Sequence, residues 1–363
     1  MITTDYCPPF ALKNGIAMTV YTALIAQKNW RKTTSLTEPI YQEHIFQGAG
    51  NTPIFGQIAM PDSVKGTIVA TYGITGDLNN QWILRLLGRK AYARGYGVIL
   101  FDWRAHGKTA ELSASLTSDG IYEGEDFVRI AAQAQKMGCP APFWFTGYSL
   151  GGQLALWGIK AAQTLPDWGI DLELNTSEIA GAAVICPSLD SHRSLTYLNQ
   201  HSIGRYLEQS ITKALKKLGR QVHQYHPQAI DLKCLEQVNS IRDFDEKFVI
   251  QTLGFDTTEA YYNATSPLPF LPDLNKQTLI LYAEDDPLFD PAIVADLKQI
   301  TQQNPSLDLA LTDHGGHVGY ISSRSCQQKS NDPDQWWGLN RVLDWMDDQT
   351  IRTTQLQQYI QVE

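Results

Sequence analysis

Short apolar runs and amphipathic stretches alternate along most of this chain. Apolar runs with the length of buried strands occur at residues 67–72, 97–101, 142–146, 180–185, 278–283 and 307–311. Stretches whose apolar positions repeat with a helical period occur at residues 81–94, 123–137, 150–162, 291–300 and 335–359. Strands that alternate with helices of this length predict an α/β protein with a mostly parallel central sheet and helices on both faces.

The amino-terminal part of the chain departs from this alternation. Residues 41–46 and 54–60 are two strand-like runs joined by a glycine-containing turn at residues 48–51. This arrangement predicts a hairpin at the edge of the sheet. Residues 1–35 precede it as an N-terminal arm to which the pattern assigns no definite structure.

Between residues 190 and 265 the alternation stops, and mostly helical sequence replaces it. Apolar positions recur there at helical spacing, at Ile203, Leu207, Ile211, Leu215 and Leu218. Basic side chains occupy the other sides, which favours a solvated helix face; attraction of an anionic lipid or acidic substrate is the alternative. We interpret this region as a helical insertion, the cap, that covers a site. The chain is then one domain: an arm (1–35), a core (36–189 and 266–363) and the cap (190–265).

The junction at residues 145–152 carries the strongest chemical signal in the chain. Its Gly147-Tyr148-Ser149-Leu150-Gly151 segment has the form G-x-S-x-G between a predicted strand and a predicted helix. A turn this tight requires small residues on both sides of its tip, because strand and helix backbones crowd together there. The pattern predicts a nucleophilic Ser149, with the amide of Leu150 directed at a developing oxyanion. A phosphate-binding turn or a plain packing turn are the alternatives.

A serine nucleophile requires a base and an acid that orients the base. The chain supplies aspartates after one predicted strand and histidines after the next, in the order Ser, Asp, His. We predict that Asp286 is the acid, because Pro287 and apolar residues follow it. Asp285 is the competing candidate, and an N-cap for the next helix is the structural alternative for this pair.

The base is predicted to be His317. Gly315 and Gly316 precede it and give the chain freedom to approach the serine, whereas His314 competes for the same role. The two histidines also allow a metal site, but no cluster of further His or Cys ligands accompanies them. We therefore expect no metal and no cofactor.

The second oxyanion donor is expected in the loop after the strand at residues 67–72. The backbone amide of Ile74 is best placed for this role. Asp102, Arg104 and His106 follow the next strand, and we interpret them as residues that fix their loop.

Composition narrows the class of protein and of partner. Hydrophobic residues make up 43% and charged residues 18%, as in globular domains. The net charge of −9 argues against nucleic-acid binding. Five scattered cysteines without C-x-x-C spacing are typical of a reducing compartment, so we expect a cytoplasmic protein.

No apolar run reaches the ~18 residues of a membrane span. Peripheral membrane contact through residues 16–26 is an alternative to their packing in the domain.

Taken together, the motifs resemble those of the YheT-like α/β-hydrolases, which are related to plant embryogenesis-associated proteins and to animal membrane-associated lipases. The resemblance covers almost the whole chain. It rests on Pro8–Gly15, Gly73–Gly76, Gly147–Gly152, Gly254-Phe255 with Tyr261-Tyr262, Ala283–Pro287 and Gly315–Gly319. Two departures stand out: Tyr72 occupies a position where the family usually has histidine, and Asp102-Trp103-Arg104-Ala105 replaces the usual Asn-Phe-Arg-Gly.

The resemblance implies an α/β-hydrolase fold, a Ser149, Asp286 and His317 triad, and esterase or lipase-like activity. We therefore expect a serine carboxylic-ester hydrolase that acts through an acyl-enzyme on a small or medium-chain acyl ester or a lipid-like ester. An acyltransferase or thioesterase using the same triad is one alternative. A non-catalytic binding protein on a hydrolase scaffold is the other. The sequence does not indicate an oligomeric state.

Overall fold

The computed structural model describes residues 5–360, with side chains up to residue 352. In this part of the chain, eight strands form one sheet in the order β1-β2-β4-β3-β5-β6-β7-β8. The strands are β1 (Gln42–Gln47), β2 (Pro53–Ala59), β3 (Thr67–Thr71), β4 (Gly97–Phe101), β5 (Phe143–Tyr148), β6 (Ile179–Ile185), β7 (Gln277–Ala283) and β8 (Leu307–Thr312).

The sheet confirms the predicted α/β-hydrolase architecture. β1 and β2 form an antiparallel hairpin at one edge, and β2 runs antiparallel to β4. All pairs from β4 through β3, β5, β6 and β7 to β8 are parallel. In a parallel sheet covered on both faces the strands are almost continuously apolar, and β3, β4 and β5 are buried at every position. Their carboxyl ends meet at one edge, where ligands bind in such folds.

Helices cover the sheet and follow the predicted periodicity closely. The helices that connect or flank strands are α3 (Trp82–Ala93), α4 (Thr109–Leu112), α5 (Ile121–Lys136), α6 (Leu150–Thr164), α13 (Ile293–Gln303), α14 (Arg324–Ser330) and α15 (Trp337–Ile360). The short helices α4 and α14 were not predicted from the sequence. Aromatic rings fill the layer between β4, β5 and α5, where Phe127 contacts both Phe101 and Phe145.

The arm that had no assigned structure is largely helical. After a 3₁₀ turn at Phe10–Leu12, α1 (Gly15–Tyr21) continues through a π turn (Thr22–Ala26), α2 (Gln27–Asn29) and a second 3₁₀ turn (Trp30–Lys32). We call residues 15–32 the N-terminal helix. Asn14 caps its start, since the Asn14 side chain accepts a hydrogen bond from the Ala17 amide. Residues 1–4 of the predicted arm and residues 361–363 of the core lie outside the described residues.

The cap consists of helices inserted between β6 and β7. They are α7 (Ser191–Gln200), α8 (Ser202–Tyr225), α9 (Leu232–Glu236), α10 (Ile241–Phe244), α11 (Ile250–Leu253) and α12 (Thr258–Thr265). The long α8 buries Leu215, Leu218 and Val222 in an apolar cluster that also includes Ala105 and Ala110 of the core. Burial of one such leucine stabilises the fold by about 2 kcal/mol, which fixes the cap against the core. Our division of the chain into arm, core and cap stays a prediction.

Candidate active site

Ser149 lies at the tip of the turn from β5 to α6. Its backbone adopts φ 55° and ψ −129°, a conformation that L-residues rarely occupy. The flanking glycines are required sterically, because a Cβ on Gly147 would lie 2.2 Å from the Gly151 carbonyl oxygen. A Cβ on Gly151 would lie 2.4 Å from the carbonyl oxygen of Tyr72. A strained residue held by its surroundings in this way points to a functional site.

The structure brings Ser149, His317 and Asp286 into one chain of hydrogen bonds. His317 Nε2 lies 2.8 Å from Ser149 Oγ, and His317 Nδ1 lies 2.8 Å from Asp286 Oδ2. The second Asp286 oxygen accepts a hydrogen bond from the Leu288 amide at 2.9 Å. Only 1% of the Asp286 side chain and 11% of the His317 side chain are exposed. With Nδ1 donating to the carboxylate, Nε2 is free to accept the serine proton.

The two competing residues form a separate pair. His314 Nδ1 lies 3.5 Å from Asp285 Oδ2, with exposed side-chain fractions of 37% and 22%. Asp285 Oδ1 accepts a hydrogen bond from the Gly316 amide at 2.8 Å. Partial burial raises the pKa of Asp285 above its ordinary value. Neither residue is hydrogen-bonded to Ser149 in the described part of the chain, so this pair supports the loop before His317.

Both predicted oxyanion donors line the same cavity as Ser149. Leu150 is the first residue of α6, where backbone amides have no acceptor within the helix. Among residues 5–360, the amides of Leu150 and Ile74 have no hydrogen-bond acceptor within the protein. The next amide in the loop, that of Thr75, donates to His106 Nε2 at 3.0 Å. The loop is therefore anchored beside Ile74 while the Ile74 amide remains available.

A buried carboxylate organises the loop that carries Ile74. Asp102 is 1% exposed and accepts hydrogen bonds from the Tyr72 hydroxyl at 2.5 Å and the Leu78 amide at 2.9 Å. Its other oxygen accepts from the Lys108 amide at 2.9 Å. Burial raises the pKa of Asp102 to about 6. The Tyr72 hydroxyl thus links the loop that carries Ile74 to the loop after β4.

His106 and Arg104 complete this network. His106 Nδ1 lies 2.8 Å from the Arg104 carbonyl oxygen, and burial lowers the pKa of His106 to about 3, so its ring is neutral. A neutral ring can donate from Nδ1 and accept at Nε2, as its two contacts require. The Arg104 guanidinium forms two bonds to buried Asp126, at 2.8 and 2.9 Å. These contacts match the interpretation of the three residues as loop-fixing.

Sequence analysis missed the contact between the N-terminal helix and the base. The His317 amide donates to Thr19 Oγ1 at 2.8 Å, and the Thr19 hydroxyl donates to the Gly15 carbonyl at 2.7 Å. A Cβ on Gly316 would lie 2.5 Å from that same Gly15 oxygen. The signal available in the sequence was the helical spacing of Gly15, Thr19 and Thr22 within an otherwise apolar run.

Beside Ser149 lies a cavity roofed by the cap, with about 900 Å³ of empty space including its open mouth. Core and cap residues together form its apolar wall, which includes Ile74, Leu150, Leu195, Leu198, Leu215, Leu218, Phe244 and Phe289. Asp119 of the core and Asp245 of the cap also line it. Burial raises the pKa of Asp119 and that of Asp245 above their ordinary values, and the Tyr262 hydroxyl donates to Asp245 at 2.5 Å.

Within residues 5–360, no group of three or more His, Cys, Asp or Glu side chains is arranged to hold a metal ion. In the same part of the chain, every helix is too short or too polar to cross a bilayer.

The known proteins that this chain resembles in sequence are hydrolases of one family. The model of the Alpha/beta hydrolase family matches residues 76–325. The chain is 51% identical over 351 residues to "Putative esterase slr0264" of Synechocystis sp., covering 95% of each. It is 26% identical over 285 residues to "Putative esterase YheT" of Escherichia coli, covering 78% of this chain and 76% of that one. It is 26% identical to "Phospholipase ABHD3" of Homo sapiens, covering 72% of this chain and 60% of that one.

Among solved structures, the chain resembles the esterase Pf2001 of Pyrococcus furiosus. The two superpose with a TM-score of 0.52 at 17% sequence identity, covering 84% of this chain and 91% of that one. At such low sequence identity, the superposition shows that the two proteins share a fold and nothing more.

Proposed function

Because this chain belongs to the α/β hydrolase family, in its YheT-like branch, we propose that it hydrolyses carboxylic esters through an acyl-enzyme on Ser149. The observation that carries the proposal is the continuous hydrogen-bonded path from Ser149 through His317 to Asp286, with both contacts at 2.8 Å. Such a path supplies the base and the orienting acid that a serine hydroxyl needs to attack at neutral pH.

In the acylation half-reaction, Ser149 Oγ attacks the ester carbonyl carbon while His317 Nε2 accepts the hydroxyl proton. The carbonyl oxygen becomes an oxyanion held by the amides of Leu150 and Ile74. His317 then donates its proton to the alcohol oxygen as the carbon–oxygen bond of the ester breaks. Asp286 stabilises the imidazolium without taking its proton. Removal of one oxyanion donor typically lowers kcat by about 100- to 1000-fold.

In the deacylation half-reaction, water replaces the alcohol. His317 takes one proton from the water, whose oxygen attacks the acyl carbonyl, and then returns that proton to Ser149 Oγ as the acid leaves. The cycle balances without a cofactor. If the chain used an alcohol or thiol acceptor instead, added acceptors would divert the product to a transferred acyl group. We expect the free acid to remain the main product.

The substrate class follows from the cavity. Its leucine and phenylalanine wall would bind the acyl chain of a small or medium-chain ester, since burial of apolar surface favours such a ligand. The names of the relatives, two esterases and a phospholipase, support an acyl ester or lipid-like ester as the substrate.

A fluorophosphonate probe tests the nucleophile directly, because it reacts covalently with activated serines. We expect one label per chain at Ser149, located by peptide mass spectrometry. Ser149→Ala should lose the label and lower ester hydrolysis by about 10⁵-fold or more. Ser188→Ala is the matched control, because Ser188 lines the same cavity outside the hydrogen-bonded path. An unlabelled wild-type protein with native circular dichroism would refute the proposal.

A panel of p-nitrophenyl esters graded by chain length then measures the acyl preference. We expect kcat/KM to rise with chain length while the cavity can accept further carbons and to fall beyond that length. Each buried methylene contributes about 0.8 kcal/mol, or roughly fourfold in kcat/KM. A flat profile would contradict binding of the acyl chain in the apolar cavity.

A further inference from the structure

The charge of the amino-terminal region differs from that of the rest of the chain. Residues 6–37 contain Lys13, Lys28, Arg31 and Lys32 and no acidic residue, although the whole chain has a net charge of −9. All four basic residues are exposed. Within the described residues, none of them forms an ion pair. This region therefore carries a local excess of exposed positive charge on an anionic protein.

The same region exposes apolar side chains. Leu24 is 60% exposed, Ile25 is 47% exposed and Val20 is 43% exposed. Val20 lies about one turn before Leu24 and Ile25, which are neighbours in the π turn at Thr22–Ala26. The opposite face of the N-terminal helix is buried at Gly15, Met18, Thr22, Ala26 and Trp30. We define the exposed face by Val20, Leu24 and Ile25, of which 43–60% is open to solvent.

We propose that this exposed face docks on the surface of an anionic lipid bilayer. Val20, Leu24 and Ile25 enter the boundary between headgroups and acyl chains, and the four basic side chains contact lipid phosphates. A helix with apolar side chains on one face and flanking lysine and arginine binds the interface in this way. The docking goes beyond the proposed function, because it does not depend on chemistry at Ser149.

A bilayer matches this surface better than a second copy of the chain. In a two-fold dimer the same patch meets itself, so four unpaired cations on each side would face one another. Such like-charge contacts oppose association. An anionic membrane supplies negative charge for the basic side chains and an apolar layer for Val20, Leu24 and Ile25.

Docking would also place the candidate site beside the lipid. The buried face of the N-terminal helix contacts the His317 loop through Thr19 and Gly15. Bound by its outer face, the helix would hold that loop next to the bilayer, where lipid-like esters are concentrated. This consequence alone rests on the proposed function.

Sedimentation with vesicles tests the docking. We expect the full chain to bind vesicles of phosphatidylcholine mixed with phosphatidylglycerol at least about tenfold more tightly than vesicles of phosphatidylcholine alone. Added salt should weaken that binding, because it screens the charges. Leu24→Ser should lower binding to the mixed vesicles several-fold, and Lys28→Glu combined with Lys32→Glu should do the same. Ile170→Ser is the matched control, since Ile170 is 46% exposed in the loop between α6 and β6.

Hydrolysis of a soluble short-chain ester is measured on the same samples. Loss of vesicle binding in Leu24→Ser with unchanged hydrolysis supports docking independently of catalysis. Absence of wild-type binding to mixed vesicles overturns it. So does equal binding by wild type, Leu24→Ser and Ile170→Ser. A change of oligomeric state by light scattering in Leu24→Ser, with vesicle binding intact, assigns the patch to a second copy and also overturns the proposal.

Discussion

Two aspartate–histidine pairs lie side by side at the carboxyl edge of the sheet, and they differ in burial. Asp286 and His317 are 2.8 Å apart, with 1% and 11% of their side chains exposed. Asp285 and His314 are 3.5 Å apart, with 22% and 37% exposed. We call Asp286 and His317 the inner pair, and Asp285 and His314 the outer pair. Water screens the outer pair, so the electrostatic attraction between its two side chains is weak. The inner pair is shielded from water, and its histidine contacts Ser149.

The comparison teaches that residue type alone does not decide which aspartate–histidine pair contacts Ser149. The Asp286 carboxylate is hydrogen-bonded to the His317 imidazole, whereas the Asp285 carboxylate accepts a hydrogen bond from the Gly316 backbone amide. The outer pair therefore shapes the loop on which the inner histidine lies. Substitutions at equivalent positions of the two pairs separate these roles.

The largest difference is expected between the histidines. His317→Ala removes the proposed base and should lower kcat for a soluble ester by about 10⁵-fold or more. His314→Ala removes a half-exposed side chain and should change kcat by less than about threefold. Steady-state kinetics on both variants, with circular dichroism as the folding control, measures the contrast. Equal losses in the two variants would abolish the distinction between inner and outer pair.

The aspartates should differ less, but in the same direction. Asp286→Asn presents an amide to His317 Nδ1 and favours the wrong tautomer, which should lower kcat by about 10⁴-fold. Asp285→Asn retains an oxygen that accepts the Gly316 amide proton, so kcat should fall by less than about tenfold. The two kcat values at neutral pH test this directly. A greater loss in Asp285→Asn would assign the acid to the outer pair.

A third substitution tests the support of the inner pair from outside the sheet. Thr19→Val removes the acceptor of the His317 amide and should lower kcat by about tenfold, because that donor is left without its partner. KM should stay nearly unchanged, since Thr19 does not line the cavity. Thr19→Ser retains the hydroxyl and should restore most of kcat. A parallel rise of KM in Thr19→Val would indicate general unfolding of the region.

The smallest effect concerns the outer carboxylate and pH. Burial raises the pKa of Asp285, so the folded protein binds that proton more tightly than the unfolded chain does. Its contribution to stability is complete below the ordinary aspartate pKa and is lost as pH rises through the folded pKa. Asp285→Asn avoids this loss. Its melting temperature should gain about 1–2 °C on wild type between pH 3.5 and pH 7.

Exposed Asp313 supplies the control for that measurement. Asp313→Asn should follow the wild-type melting curve across the same pH range. If the gain of Asp285→Asn were absent or reversed, ionised Asp285 would be stabilising and the interpretation of the outer pair would be wrong.

The sequence predicted the sheet well because its signals are local. The strands β3 to β7 are short and mostly buried apolar runs, and the Ser149 turn requires glycines at fixed positions. The order Ser, Asp, His identified the residues that the structure brings together. The choice between Asp285 and Asp286 stayed open, because it depends on which side chain faces inward after a turn. That direction is set by tertiary packing and not by spacing.

Contacts between distant parts of the chain were beyond sequence reasoning. The arm at residues 1–35 received no structure, since its helix is apolar on both faces and shows no clean amphipathic period. Thr19 looked like an interruption of an apolar run, yet it accepts a hydrogen bond from residue 317. The cavity was also unpredictable in shape, because leucines of α7 and α8 meet core residues only after the cap has packed.

The bond between Thr19 and His317 joins residues 298 positions apart. During synthesis, the N-terminal helix and Ser149 therefore leave the ribosome long before His317 is made. The bond to the His317 amide can form only after the loop that carries His317 has packed onto the N-terminal helix. Loss of the N-terminal helix would consequently disturb the loop that carries His317, the proposed base for a serine in the middle of the chain.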